Sequence, residues 1–316
     1  MRYYVAPLEG ITKSLYRRVH RRFFPGADRY FTPFLSPTRD YRLTQRELRE
    51  LLPDLEEGLP LVPQLLVNDP EPFVATALDL HDLGFPQVDL NLGCPSRTVT
   101  AKRKGSGLLG DLPRLEALLD EIFDRLGGRV AVSVKTRLGG EDPGEFEALI
   151  PLFNRYPICE LTVHARVRED FYRRPAVPEV LSPLAGQLKA PFCYNGDLLT
   201  PADGARLLPL FPTAQAMMVG RGLIADPALI GELRGQPRPE KEVYRDFHQA
   251  LVEGCLGLGW SQRAVLCHMK EIWDYMGNLF EGMEELRKPL RKALTLSEYQ
   301  GVVRRIFALP LKPPAL

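Results

Sequence analysis

Residues 85–96 read FPQVDLNLGCPS, and this stretch decides the fold. Residues 85–92 have strand character, and the run stops abruptly at Gly93-Cys94-Pro95, where the ladder cannot continue. A lone thiol therefore sits at the mouth of a strand beside Asn91. It lies in a turn that projects side chains outward rather than into a core. A cysteine is as often a small hydrophobe as a reagent; the flanking glycine and proline favour the reagent here.

Working outward, the same unit recurs. The runs RYYVAPLEG, RYFTPFLS, PLVPQLLV, QVDLNLGC, VAVSVKTR, CELTVHAR, APFCYNGD and AQAMMVGRG follow one another and end near Gly222. Between them lie segments of helical period such as SLYRRVHRRFF, FVATALDLHDLG, LPRLEALLDEIFDRLG and FEALIPLFNRY. Asp69-Pro70, Asp111 before Pro113, and Thr200-Pro201 are helix starts, each a capping side chain with proline in the first turn. Strict alternation implies parallel pairing through right-handed crossovers. Eight such units in about 230 residues fit a closed (β/α)8 TIM barrel better than an open sheet. A doubly wound fold would carry its nucleotide fingerprint after the first strand, where PLEGIT stands instead. The one GxGxxA match, at 220–225, has no further strand-helix unit with a ribose-binding acid behind it. The expected fold class is α/β, with a TIM barrel over residues 1–235. After the linker QPRPE (236–240) the helical period is continuous, so residues 240–316 are expected to form a small all-helical domain.

Composition narrows the class. The chain has 316 residues and a net charge of +1, which excludes an overall basic coat but not a local basic face. Five cysteines (94, 159, 193, 255 and 267) lack CxxC spacing, so neither a disulfide framework nor a zinc site is favoured. No apolar run is long enough to span a bilayer, and the chain enters a strand without a leader, so a cytoplasmic protein is expected.

In a barrel the active site forms at the C-terminal ends of the strands. The sequence places there Gln64; Asn91 and Cys94; Lys135 and Arg137, two apart and so on one face; His164 and Arg166; Asn195-Gly196-Asp197; and Gly220-Arg221-Gly222. The glycines ending the last two strands fit a phosphate cradle, with a helix N-terminus and Arg221 adding charge, or else two plain turns. Lys135 in an apolar strand is costly unless it meets an anion or water. A Schiff-base nucleophile, a phosphate or flavin partner and a structural ion pair all stay open for it. Gln64 suits a planar heterocycle, and His164 is either a contact or a core residue. No metal-ligand spacing occurs, so no metal is expected. Arg287, Lys288, Arg291 and Lys292 lie about one turn apart as a basic or merely solvated helix face.

These segments together resemble the tRNA-dihydrouridine synthases, FMN-dependent flavin barrels. The matching residues are Ala6 to Gly10, Gln64, Asn91 to Ser96 followed by Gly105-Ser106-Gly107, Lys135-Thr136-Arg137, Val163 to Arg166, Asn195 to Asp197 and Gly220 to Gly222. They occur in the family order over the whole barrel. The resemblance implies that Pro7, Leu8 and Glu9 line the flavin through their backbone, and that Gln64, Lys135 and His164 contact the isoalloxazine. It assigns Asn195, Gly196, Asp197, Gly220 and Arg221 to the ribityl phosphate. Cys94 would be the catalytic proton donor, with Asn91, Arg137, Arg166 and Lys102 toward the substrate. The C-terminal helices would hold tRNA. The implied reaction is reduction of a specific uridine to 5,6-dihydrouridine, with NADPH as electron source, hydride passing from flavin N5 to uracil C6 and a proton from Cys94 to C5. The target base would be flipped out of a loop. A monomer is expected, with no membrane partner. The nearer alternative is a flavin barrel acting on a free pyrimidine, as dihydroorotate dehydrogenases do; the helical C-terminal region argues against it. A lysine-dependent aldolase through Lys135 is the more distant one. The chain departs from the family pattern at Leu8, at Ala165 and in the charged loop VREDFYRR, which bears on tRNA orientation rather than on the flavin.

Overall fold

A computed structural model of the chain describes residues 1–37 and 43–313. Its strands are β1 (Arg2–Val5), β2 (Arg29–Phe31), β3 (Leu61–Val62), β4 (Gln64–Leu65), β5 (Gln87–Leu92), β6 (Ala131–Gly139), β7 (Glu160–Val167), β8 (Phe192–Asn195) and β9 (Ala216–Val219). All pair in parallel, in the order β3-β2-β1-β9-β8-β7-β6-β5-β4. Eight expected runs thus give nine strands, and the reason is Pro63. Its missing N–H interrupts the third run. The half before it pairs with β2 (Tyr30 opposite Leu61) and the half after it with β5 (Gln64 opposite Asp89). One interrupted strand therefore joins the two ends of the sheet and closes the barrel.

Alternation along each strand sorts residues between two environments. Val88, Leu90 and Leu92 of β5 face the helices, as do Val132, Val134 and Leu138 of β6 and Leu161, Val163, Ala165 and Val167 of β7. Asp89 and Asn91, Ser133, Lys135 and Arg137, and Glu160, His164 and Arg166 lie on the opposite faces, inside the barrel. A small apolar plug of Tyr4, Phe31, Val62, Cys193 and Met218 fills the barrel interior. At its base the Tyr4 hydroxyl donates to Glu160 at 2.8 Å. Polar side chains crowd the other end.

The three expected helix starts are present. Asp69 accepts from the Glu71 N–H at 3.0 Å, Asp111 from Arg114 at 3.3 Å, and Thr200 from Asp203 at 3.2 Å, each with proline in the first turn. Such caps each contribute about 1 kcal/mol.

The C-terminal region holds helices Lys241–Gly257, Gln262–Met276, Met283–Lys292 and Leu296–Ala308. Trp273, fully buried, donates its Nε1–H to the Tyr299 hydroxyl at 2.8 Å, and that hydroxyl meets His248 Nε2 at 2.7 Å. This core is not built by the C-terminal helices alone. Ile11, Tyr16, Val19 and Phe24 of the first barrel unit, with Ile224 and Ala228, complete it. Helix Ser14–Phe23 packs on Lys241–Gly257 closely enough that a Cβ at Gly254 would stand 2.5 Å from Leu15. The helical region is thereby fixed to the barrel flank, and Glu271 and Tyr275 reach the barrel mouth. Among the described residues no helix is long and apolar enough to cross a membrane.

Candidate active site

Two connected hollows lie at the C-terminal end of the barrel. The larger, about 480 Å³, is lined by Pro7, Leu8 and Glu9 after β1, Gln64, Asn91, Cys94, Lys135, Arg137 and His164. The smaller, about 40 Å³, is lined by Asn195, Gly196, Asp197, Gly220, Arg221 and Arg166. Pro7, Leu8, Lys135, His164, Tyr172 and Arg221 border both, so the two form one continuous site. Of the predicted site residues only Lys102 lies apart. Its side chain is exposed beyond helix Arg97–Thr100; its carbonyl accepts from Asn68 at 2.7 Å and its N–H donates to the Val99 carbonyl at 3.1 Å.

The Cys94 turn is held from both sides. Asn91 Oδ1 accepts from the backbone N–H groups of Gly93 (3.0 Å) and Cys94 (2.9 Å). From below, the Ser106 hydroxyl donates to the Cys94 carbonyl at 2.8 Å and its N–H does so at 3.2 Å. Close backbone approach explains the glycine on either side of Ser106, from Cys94 for one and from Thr100 for the other. Gly105 has φ +56°, and a Cβ there would lie 2.9 Å from the Cys94 oxygen; a Cβ on Gly107 would lie 2.9 Å from the Thr100 oxygen. Burial pushes the Cys94 thiol pKa up, opposed by the Ser96 backbone N–H and the Arg137 cation, so the thiol keeps its proton at neutral pH.

Lys135, Arg137, Arg166 and Arg221 with the Asp197 carboxylate define the electrostatics of the inner site, while Glu9 and Glu271 line the larger cavity. Lys135 Nζ donates to Asn195 Oδ1 at 3.1 Å and forms no ion pair among the described residues. Burial, then the Arg137 charge, bring its pKa down to about 8. Arg137 directs Nε to the Gly93 carbonyl (2.7 Å) and Nη1 to the carbonyls of Val167 (3.0 Å) and Phe171 (3.2 Å), which leaves its Nη2 group for a ligand. The Asp197 carboxylate bridges Arg166 at 2.5 Å and Arg221 at 2.6 Å. Burial alone would raise the Asp197 pKa, but hydrogen bonds from Arg166 and the Ala176 N–H outweigh it and hold the carboxyl below its ordinary range. Arg166 Nη1 also donates to His164 Nε2 at 2.9 Å. Burial and the surrounding cations keep His164 neutral, so its remaining proton sits on Nδ1.

The phosphate-cradle expectation needs one refinement. The helix after Gly220, Arg221–Ala225, has five residues and so little dipole to offer. Gly222 serves packing instead: a Cβ there would lie 2.2 Å from the Leu198 carbonyl oxygen. Gly196, at φ +146°, is the position where the backbone itself requires glycine.

Sequence reasoning missed Tyr172. It stands in the charged loop after β7, with its ring 4.8 Å from the Arg221 guanidinium, 5.4 Å from Arg137 and 6.0 Å from Arg166. Its neighbour Phe171 holds φ +49°, an unusual conformation for a bulky residue. An aromatic flanked by arginines one loop beyond a strand-end arginine was the available signal. Glu271 and Tyr275 carried a weaker one, being i and i+4 on a single helix.

The family model for dihydrouridine synthase (Dus) matches residues 4–308. The chain belongs to the dihydrouridine synthase family. It is accordingly a flavin-dependent oxidoreductase that reduces uridine in tRNA. A relative from Pseudomonas putida, tRNA-dihydrouridine(16) synthase, is 32% identical over 71% of each chain. The protein of the same name from Ralstonia nicotianae is 28% identical over 96% of this chain and 95% of its own. The tRNA-dihydrouridine synthase B of Pasteurella multocida is 26% identical over 97% and 87%. Among solved structures, histamine dehydrogenase from Rhizobium sp. 4-9 superposes with a TM-score of 0.57 at 13% identity, covering 89% of this chain and 51% of that one. A variant of NCR from Zymomonas mobilis gives 0.51 at 15% identity, covering 76% and 88%. At such identities the likeness concerns the barrel fold.

Proposed function

We propose that this dihydrouridine synthase carries FMN, takes electrons from NADPH and reduces uridine 16 of tRNA. The observation that carries the proposal is the continuity of the site: a narrow cationic slot opens, past Lys135 and His164, into a cavity with a protonated thiol on its wall. The slot fits a phosphate, having Arg221, Arg166 and the Gly196 backbone around it. Its small volume, about 40 Å³, favours a mononucleotide over a dinucleotide. Lys135, a cation with an amide as its side-chain partner, suits a ring that gains negative charge on reduction. The larger cavity is within the range that holds a planar cofactor together with a base.

Bound flavin supplies the hydride that adds to uracil C6. Cys94 then holds the proton that C5 requires, on a turn fixed by Asn91 and Ser106. Pro7, Leu8 and Glu9 form one edge of the flavin slot through their backbone. Gln64, Lys135 and His164, which line the larger cavity, would hold the ring. Arg221, Asn195 and the backbone of Gly196, Asp197 and Gly220 would take the phosphate, while the ionised Asp197 carboxylate orients Arg166 and Arg221 around it. Arg166, through its bond to Asp197, belongs with that phosphate end rather than with the base. Arg137 and Asn91 lie beside Cys94, where the uracil enters. Lys102, exposed beyond helix Arg97–Thr100 and apart from the cavity, is suited to a tRNA phosphate. The position number is that carried by the Ralstonia nicotianae and Pseudomonas putida relatives in their names.

The test is to incubate the purified yellow protein with NADPH and unmodified tRNA and to map dihydrouridine by nucleotide position. Dihydrouridine at position 16 is the expected result. Dihydrouridine at another position overturns the site assignment. A protein that cannot be loaded with FMN overturns the cofactor.

A further inference from the structure

We propose that Asp89, buried beneath the site, is a positioning residue that fixes the direction of a hydrogen-bond chain ending at the Cys94 turn. The inference rests on the proton-donor role of Cys94 proposed above. Asp89 is fully buried inside the barrel. It accepts from Gln64 Nε2 and from the Ser133 hydroxyl, each at 2.7 Å. Gln64 Oε1 in turn accepts from Asn91 Nδ2 at 2.6 Å. Asn91 Oδ1 accepts from the N–H groups of Gly93 and Cys94.

Either amide, taken alone, satisfies its neighbours in one of two orientations. A carboxylate is acceptor-only, so it draws the NH2 of Gln64 downward and turns its carbonyl up. That carbonyl draws the NH2 of Asn91, which leaves the Asn91 carbonyl for the two N–H groups of the turn. Reversing one link sets donor against donor at Cys94 or oxygen against oxygen at Asp89, each a buried mismatch. The chain thus has one satisfied direction, set at one end by Asp89 and read at the other by the turn that carries the thiol.

The direction can be reversed by design. Asn91→Asp keeps an acceptor for the turn but places its second oxygen against the Gln64 carbonyl. If Gln64 rotates, its carbonyl meets Asp89 instead. Adding Asp89→Asn removes that conflict: the carboxylate at position 91 accepts from Gln64 Nε2, and the amide at position 89 donates to Gln64 Oε1 and accepts from Ser133. Asp89→Asn alone should be mild, because the Ser133 hydroxyl can accept from the new amide and donate to the Val88 carbonyl, 3.4 Å away.

The experiment compares wild type, both single variants and the double variant, all loaded with FMN. Three quantities are read: melting temperature, the alkylation rate of Cys94 by iodoacetamide resolved at the peptide level, and reoxidation of the reduced flavin by tRNA. One unsatisfied buried pair predicts that Asn91→Asp slows reoxidation by about tenfold or more and alters Cys94 alkylation. The double variant should recover toward wild type in all three. Losses that add, or a double variant that melts lower than Asn91→Asp, overturn the proposal. If wild-type flavin is not reoxidised by tRNA at all, the functional reading fails, while the alkylation and melting data still decide the role of Asp89.

Discussion

Replacing Gly105 by alanine should slow the step that uses Cys94 without emptying the flavin site. The new Cβ would lie 2.9 Å from the Cys94 oxygen and 3.1 Å from the Cys94 Cβ, whereas ordinary contact begins at 3.4 Å. The turn must therefore yield by 0.3–0.5 Å, the difference between those distances. A proton donor works within hydrogen-bond reach of its acceptor, and a 1 Å misplacement costs about 100-fold, so a shift of this size predicts roughly a tenfold loss. Alanine at φ +56° also costs about 1–2 kcal/mol of backbone energy, which lowers the melting temperature by a few degrees. Gly105 does not line the site, so FMN content and flavin reduction by NADPH should match wild type. Stopped-flow reoxidation of the reduced flavin by saturating tRNA measures the affected step. A variant that melts lower but reoxidises at the wild-type rate would refute the claim that this glycine sets the thiol.

Lys135→Met should weaken FMN binding, yet its apoprotein should melt above wild type near pH 7. The Lys135 pKa falls from its ordinary value to about 8 on folding, so the charged form opposes folding below that pH. Stability of the wild type recovers as pH rises from about 8 toward the ordinary lysine value of about 10.4, so the gap between the two proteins should close over that interval. A constant gap, measured by thermal melts of both apoproteins, would contradict the assignment. On helix Met283–Lys292, Lys288 and Lys292 are exposed, while Arg287 bonds Asn278 at 2.7 Å and Arg291 bonds Asp274 at 3.1 Å. Changing Lys288 and Lys292 to alanine should weaken tRNA binding and flatten the salt dependence by about one unit of log–log slope for each phosphate no longer neutralised, with flavin content unchanged. Unaltered affinity in a salt titration would mark that face as solvated surface.

The barrel was legible because parallel strands with one face on helices and one face inside alternate visibly, as Val88, Leu90 and Leu92 do against Asp89 and Asn91. Strand-end chemistry was legible for the same reason: Lys135 and Arg137, or His164 and Arg166, are two apart and must share a face. Closure at Pro63 was not, because a run of apolar residues does not announce that its halves serve different neighbours. Nor was the shared core between helix Ser14–Phe23 and the C-terminal helices, since periodicity reveals an apolar face but not its partner. Tyr172 was hidden by its loop, whose position over three arginines depends on tertiary contacts from Arg137 to the Phe171 carbonyl. Asp89 was hidden by its strand, where a buried acid has no distinctive spacing and its meaning lies in which way two amides point.

Cys94→Ala tests the account most directly. General acid catalysis contributes about 100- to 10,000-fold, so a loss of that order is expected in one step alone. The measurement is single-turnover reoxidation of NADPH-reduced flavin by tRNA, wild type against Cys94→Ala. The account predicts equal FMN content, equal flavin reduction and reoxidation slowed by at least about 100-fold in the variant. Equal reoxidation rates would contradict it and leave Cys94 a structural residue of the turn.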